Sequence, residues 1–286
     1  MNRIRRASGF LLVIASIVAI VMVDRHASGA PEGAAVANGA LSAFPQVSDS
    51  RRISSSWFCP GAAGGDGVTN AYVNISNPGE TDLVASVSFM SSDPIVQQAV
   101  VVKPRSRAQV EFLRGSTVGV VVPQVELVGT TGTVEQQLEF PGGDVTSQCA
   151  ADTSTTWHFA DGFTAEGSSE RIVITNPYPD PAVVNMTYTT KEGSRNPANL
   201  QGLIIAARSA KSLSMADLGA HDEARLAVSV TATTGRVVAS RIQHYIGLGR
   251  LGYSTTVGTS RALPQWWFTS GRTGSQVEEL LVAYNP

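Results

Sequence analysis

Charge is scarce in this chain. Asp, Glu, Lys and Arg make up 15% of its 286 residues and nearly cancel, leaving a formal net charge of −2. Nucleic-acid binders neutralise phosphates with clustered Lys and Arg, so that class is set aside. Histidine is just as sparse, with only His26, His158, His221 and His244. None of the four stands at i, i+4 spacing or in a His-Glu-x-x-His arrangement, so a metallohydrolase lacks its ligands. Two cysteines, Cys59 and Cys149, cannot make a structural zinc site without His partners at ligand spacing. No Gly-x-Ser-x-Gly elbow occurs, and the Ser-rich stretches read as solvated strand faces and turns. The expectation is a protein that is not an enzyme, with no catalytic, metal or cofactor-binding residue assigned. Amphipathic helices are missing too, the only short candidate being 214–218.

Two accidental patterns are discounted. Gly247-Leu248-Gly249-Arg250-Leu251-Gly252 fits the dinucleotide fingerprint Gly-x-Gly-x-x-Gly. That mechanism needs a helix next, its N-terminus facing the pyrophosphate. The next residues, Tyr253 to Gly258, are β-like instead, so the stretch reads as an interdomain linker. Asp66, Asp161 and Glu166 stand near glycines, but Asp beside Gly is turn chemistry and the EF-hand spacing is absent.

The positive signals begin at the N-terminus. Arg3, Arg5 and Arg6 precede an apolar run from Phe10 to Val23 broken only by Ser16. Basic residues before a short hydrophobic core place the N-terminus in the cytoplasm and export the rest. Residues 7–23 are at the short end of what spans a bilayer. The small-residue site Ser28-Gly29-Ala30 lies beyond the polar stretch 24–26, an awkward distance for cleavage. A single-pass membrane anchor with the C-terminal part extracytoplasmic is therefore favoured over a secreted, signal-cleaved chain. In that compartment a Cys59–Cys149 disulfide is permitted and would tie together the two ends of one domain.

One phrase recurs: Trp57-Phe58-Cys59, Trp157-His158-Phe159 and Trp266-Trp267-Phe268, each followed 19 or 20 residues after its first Trp by Asn77-Pro78, Asn176-Pro177 or Asn285-Pro286. A pitch of roughly 100 residues means domain-sized units rather than solenoid turns. Ala71, Val73 and Ile75 alternate with polar neighbours as in a half-buried strand, and Ile172 and Ile174, then Leu281 and Ala283, take matching positions. Each such strand ends at Asn-Pro, where Pro removes a ladder donor and the chain must turn. Leu83, Ala85, Val87 and Phe89 match Ala182, Val184, Met186 and Tyr188 at an offset of 99. A hairpin insertion around Lys191-Glu192-Gly193 raises the offset to 103, which then holds for Arg105-Ser106 against Arg208-Ser209 and Thr131-Gly132 against Thr234-Gly235.

The expected architecture is all-β: tandem immunoglobulin-like antiparallel β-sandwiches of roughly seven strands each, preceded by one N-terminal transmembrane helix. Residues 1–30 form the basic tip and membrane segment, 31–53 a flexible linker, 54–150 the first repeat and 151–250 the second. Residues 251–286 are a linker and the start of a truncated third repeat. Trp57, Trp157 and Trp266 read as aromatic plugs over a sandwich core. Trp267, whose counterparts are Phe58 and His158, points the other way on a strand and is the candidate binding aromatic.

These phrases carry a resemblance to the actinobacterial family of membrane-anchored proteins of unknown function designated DUF5719. The residues bearing it are Trp57, Asn77-Pro78 and Ser106-Arg107 in the first copy, and Trp157-His158-Phe159, Gly162, Asn176-Pro177 and Arg208-Ser209 in the second. It covers about residues 54–286, and copy one departs from it with Cys59 where the others have Phe. The resemblance implies an exported envelope protein and transfers no catalytic residue. The functional expectation is a non-enzymatic scaffold or protein-binding module of the cell envelope. Its alternatives are recognition of wall glycan through exposed aromatics, and an accessory part of an enzyme whose catalytic region lies elsewhere. The expected partners are the membrane through residues 7–23 and envelope proteins or wall glycan, without nucleic acid or cofactors.

Overall fold

Among the described residues the first half of the molecule forms nine strands, the longer ones such as Asn70–Asn77, Leu83–Met90 and Thr133–Phe140 by alternation of apolar and polar residues. They are β1 (Ser54–Phe58), β2 (Ala62–Ala63), β3 (Asn70–Asn77), β4 (Leu83–Met90), β5 (Val96–Val102), β6 (Ser106–Arg114), β7 (Val120–Val128), β8 (Thr133–Phe140) and β9 (Gly143–Gln148). The computed structural model describes residues 53–286, apart from 65–66, 92–94, 115–118, 130–131, 248, 269–270, 272–273 and 276–278. The segment 1–30, the linker 31–52, Asp66 and Thr131 lie outside the described residues. Among those described, no helix is long and apolar enough to cross a membrane.

The strands pair antiparallel in two sheets, one ordered β1-β7-β4-β5 with β2 on β7, the other β6-β3-β8-β9. In β4 the side chains of Leu83, Ala85 and Val87 are buried while Val84, Ser86 and Ser88 are not, as the pleat demands. These residues, with Trp57, Val125 and Leu127 from the same sheet, meet Val73, Ile75, Val110 and Val134 from the other in one core. Two sheets sharing a core are a β-sandwich.

The second half repeats the plan: β10 (Thr156–Gly162), β11 (Ser169–Asn176), β12 (Ala182–Thr190), β13 (Gly193–Arg195), β14 (Leu203–Ile205), β15 (Ser209–Ser214), β16 (Leu226–Thr234), β17 (Val238–Tyr245) and β18 (Gly252–Val257). Its sheets run β10-β16-β12-β13, with β14 on β12, and β15-β11-β17-β18. Position for position this is the order of the first half, except that the place of β5 is taken by two short pieces, β13 and β14, and β2 has no separate counterpart. β17 and β18 are the two arms of a hairpin, because β18 pairs along β17 from Ser240↔Val257 to Tyr245↔Gly252. The stretch that joins them is therefore not an interdomain linker, and the second sandwich continues to Val257. The sequence Gly-Tyr-Ser-Thr-Thr-Val is β-like but lacks apolar alternation, so nothing in it announces the pairing with β17.

The repeated Asn-Pro turn is explained by one hydrogen-bond set built twice. Asn77 Nδ2 donates to the carbonyls of Thr81 (2.8 Å), Val102 (3.0 Å) and Lys103 (3.1 Å), while Oδ1 accepts from Gly79 N at 2.9 Å. Asn176 Nδ2 donates to Asp180 (2.8 Å), Ile205 (3.2 Å) and Ala206 (3.1 Å), and Oδ1 accepts from Tyr178 N at 3.0 Å. Opposite each Asn the chain turns through an Arg in the left-handed region, Arg105 at φ 51° and Arg208 at φ 50°. The N–H groups of these arginines bond Gly79 O and Tyr178 O, and the following Ser106 and Ser209 hydroxyls bond Lys103 O and Ala206 O. Each buried Asn thus satisfies main-chain groups of two turns that secondary structure leaves unpaired. The Asn-Pro and Arg-Ser phrases are the two halves of one structural lock.

The sandwiches are fused. Ala63, Val120 and Val122 of the first and Val173, Ala210 and Ile242 of the second bury one another. Phe58 exchanges two main-chain hydrogen bonds of 2.8 Å with Ala150, and both side chains belong to the second core. Ser240 Oγ donates to Pro60 O at 2.6 Å, and Tyr253 of β18 stacks on Phe140 of β8.

Among the described residues of 259–286 no strand is formed; Thr259 makes an isolated bridge with His158, and Gly274 is a bridge residue too. The expected third-copy strand through Leu281 and Ala283 is not formed. In the first two copies this strand is flanked on both sides, β3 by β6 and β8, and β11 by β15 and β17. Without such flanks an isolated strand has nowhere to place its backbone groups. The segment instead lies on the second sandwich, where Tyr284 reaches Ser229.

Candidate functional site

The residues singled out by sequence separate into internal and external ones. Cys59 and Cys149 are joined in a disulfide. Trp57 and Trp157 are buried, and Trp157 Nε1 donates to Val237 O at 2.8 Å, so both act inside cores. Phe159 is buried with Trp157, and Asn77-Pro78 and Asn176-Pro177 form the turns already described. The third copy differs: Trp266 is 43% exposed, Trp267 67% and Phe268 63%, and Asn285 and Pro286 are exposed. Asp161 does not sit in a cation site but faces Arg250 at 3.3 Å, and the Glu166 N–H meets Asp222 at 3.4 Å.

A pocket of about 440 Å³ opens where the ends of β10, β12 and β16 meet the C-terminal segment. Asp161, Lys191, Arg225 and Arg250 give it a cationic excess, and Leu281 and Tyr284 form an apolar wall. Burial of Phe163 and the overlying Arg250 guanidinium, 5.2 Å from its ring centroid, fix one side.

Behind Asp161 lies a polar centre that sequence reading missed. β10 slips register against β16 between Phe159 and Gly162, and the backbone of Gly162 lies directly on the Glu170 carboxyl. A Cβ at Gly162 would fall 2.0 Å from Glu170 Oε2, so a larger residue here must displace the buried carboxyl. Phe163 N–H is shared between Glu170 Oε2 and Gln243 Oε1, both at 3.1 Å. Gln243 Nε2 donates to Phe163 O at 2.7 Å and Ser169 O at 2.9 Å. Arg241 donates to the carbonyl of Asp161. Glu170 Oε1 and Arg241 Nε are both buried without a hydrogen-bond partner. Burial pushes the Glu170 carboxyl up to about 7, against the opposing pull of Arg241 and the Phe163 N–H. Burial likewise raises the Tyr245 phenol, 5.8 Å from Arg250. The signal available in the sequence was a Glu at an inward-facing position of a strand, opposite Gln243.

On the outer face of the same sheet, His158 Nδ1 lies 2.9 Å from Ser229 Oγ, which lies 3.0 Å from the Tyr284 hydroxyl. The pair arises because His158 and Ser229 are direct cross-strand neighbours. Burial lowers the imidazole pKa, favouring the neutral ring. No described carboxylate is bonded to that ring and Ser229 is buried beneath Tyr284, so the trio does not have the geometry of an oriented nucleophile and base.

Residues 113–248 match the family model for DUF5719, a family of unknown function. Over that span, just under half of the chain, the sequence is similar to DUF5719. The matched span runs from the end of β6 to the turn after β17, so it contains the Asn176 lock, Glu170 and part of the joint, including Val120, Val122, Val173, Ala210 and Ile242. No curated protein matches the sequence. Among solved structures, red sea bream transglutaminase is similar at 12% identity with a TM-score of 0.18, over 80% of this chain and 34% of that one. The chain thus spans about a third of that enzyme's length, and a likeness this slight carries no argument about fold or activity.

Proposed function

We propose that this chain is a membrane-anchored, extracytoplasmic protein of the cell envelope, built of two immunoglobulin-like sandwiches, that works without catalysis as a scaffold or protein-binding module. The observation that carries this reading is the joint. A shared apolar layer joins the two sandwiches, Phe58 and Ala150 of the first insert into the core of the second, and the disulfide pins that segment to the first core, which suits a spacer holding a binding surface away from the membrane. A disulfide also favours an oxidising compartment. The test is the intact mass of the protein recovered from its own membrane fraction, before and after reduction and alkylation. Retention of residues 1–30 together with one disulfide supports the reading, whereas cleavage near Ala30 makes the chain secreted.

Recognition of wall glycan is the second reading, favoured by the exposure of Trp266, Trp267 and Phe268. An exposed indole stacks on the apolar face of a sugar ring while nearby polar groups orient it. Under this reading Trp267→Ala lowers retention of the full chain on purified cell-wall polysaccharide by about tenfold, equivalent to about 1.4 kcal/mol. Equal retention of the two proteins, or none by either, removes it.

A further inference from the structure

We infer that the β5 edge of the first sandwich is a pairing site for a second copy of this chain, in which two β5 strands join antiparallel about Gln98. β5 ends its sheet: β4 bonds it on one side, and among the described residues no strand pairs on the other. Exposed edges are usually blunted by charge, proline or interruption. From Ile95 to Val102 the sequence Ile-Val-Gln-Gln-Ala-Val-Val-Val contains no charged residue and no proline. The next residue, the cation Lys103, is held by Asp82 at 2.9 Å.

The second sandwich shows how the same edge looks when closed. There the strand is broken into β13 and β14 by residues 196–202, which carry Pro197 and a 3-10 turn, Ala198–Leu200, whose Leu200 is buried in the core. The insertion also occupies the polar groups of β12: Gly202 N–H bonds Asn185 Oδ1 at 2.8 Å, and Gln201 Nε2 bonds Met186 O at 3.0 Å. β5 has no such cover. Ile95, Val96 and Val101 are 38%, 62% and 53% exposed.

The choice of a second copy, rather than a foreign strand, comes from the order of residues. Read outward from Gln98, the neighbours are Gln97 and Ala99, then Val96 and Val100, then Ile95 and Val101. Antiparallel self-pairing centred there sets Val96 against Val100 on the core side and Ile95 against Val101 on the outer side. Faces match because each opposed pair has the same parity, as an antiparallel ladder requires. An isologous interface needs a self-complementary patch, and this segment is one. The result is a continuous sheet across two molecules, with the exposed valines covered and no like charges opposed.

The test uses the full chain in detergent. Gln98→Cys places a thiol on the two-fold axis and is expected to form a disulfide-linked dimer under mild oxidation, whereas Gln97→Cys, which faces Ala99, cross-links several-fold less. Gln98→Lys opposes two ammonium groups at the centre and is expected to raise the dimer dissociation constant roughly tenfold or more in sedimentation equilibrium. An unchanged melting temperature shows that the substituted chain is folded. A wild-type chain that stays monomeric to about 100 µM, well above the micromolar range of specific pairing, overturns the inference. A dimer insensitive to Gln98→Lys overturns it as well, since the contact then lies elsewhere, and so does equal cross-linking by the two cysteine variants. A monomer whose β5 captures an unrelated extended peptide also overturns self-pairing in favour of general strand addition.

Discussion

Removing the Cys59–Cys149 bridge by the double replacement Cys59→Ala/Cys149→Ala is expected to lower stability by about 4 kcal/mol, and to loosen both sandwiches rather than one. The bridge closes a loop with a sequence separation of 90 residues, almost the whole first sandwich. Loop-closure entropy for that length gives the upper part of the usual range for a native disulfide. At 2–4 °C per kcal/mol for a chain of this size, the melting temperature falls by roughly 8–16 °C. The location gives the prediction its distinctive content. Cys59 follows Phe58, whose ring fills the second core, and Cys149 precedes Ala150, which pairs with Phe58. Pro60, one residue on, accepts the hydrogen bond from Ser240 in β17. Freed from the bridge, this short segment loses its anchor in the first core, and β17 loses a neighbour. Calorimetry with hydrogen exchange checks the point: protection falls in β17 as well as in β1 and β9. Equal melting of the two proteins rules out a stabilising bridge, and loss confined to β1–β9 rules out coupling through the joint.

The parts of this fold that are legible in the sequence are those where side-chain period and repetition agree. The match of Leu83, Ala85 and Val87 to Ala182, Val184 and Met186 places both sets on the core face, and they are buried there. Strands without apolar alternation carry no such signal. β9 and β18 are edge strands rich in Gly, Ser and Thr, packed together through Ser147 and Thr255, and nothing periodic marks them. The recurrence of Asn and Arg-Ser at fixed spacing is visible in the sequence, but its reason is not, because the partners of Asn77 at Val102 and Lys103 lie 25 and 26 residues away. The pocket and the Glu170 centre are hidden for the same cause. Asp161, Glu170, Arg241 and Arg250 are scattered along the chain and converge only when β10, β11 and β17 pack.

Stability of the folded chain is expected to fall as pH rises from about 4.5 to about 7, through Glu170. In the unfolded chain this carboxyl titrates near 4.5, and in the fold burial pushes it up to about 7. Between those values the folded protein holds a proton that the unfolded chain has released. Stability therefore decreases with pH across that window, being largest below 4.5 and levelling above 7. At about 1.4 kcal/mol per pH unit the loss is about 3 kcal/mol, or roughly 6–12 °C in melting temperature. The groups that face the carboxyl oppose one another. Arg241 and the Phe163 N–H favour the anion, while Asp161 on β10 disfavours it, and Arg250 is turned toward Asp161. The balance follows from Arg241 giving its hydrogen bond to the Asp161 carbonyl while Glu170 Oε1 is left without a donor. Glu170→Gln keeps an oxygen to accept from Phe163 and cannot ionise. Its melting temperature should change little across the window, exceeding wild type at about pH 8 and approaching it at about pH 5. Calorimetry of the two full chains at half-unit steps decides the matter. Parallel curves, or a wild type that gains stability toward the alkaline end, would show that Arg241 pairs with an ionised Glu170 strongly enough to overcome its burial.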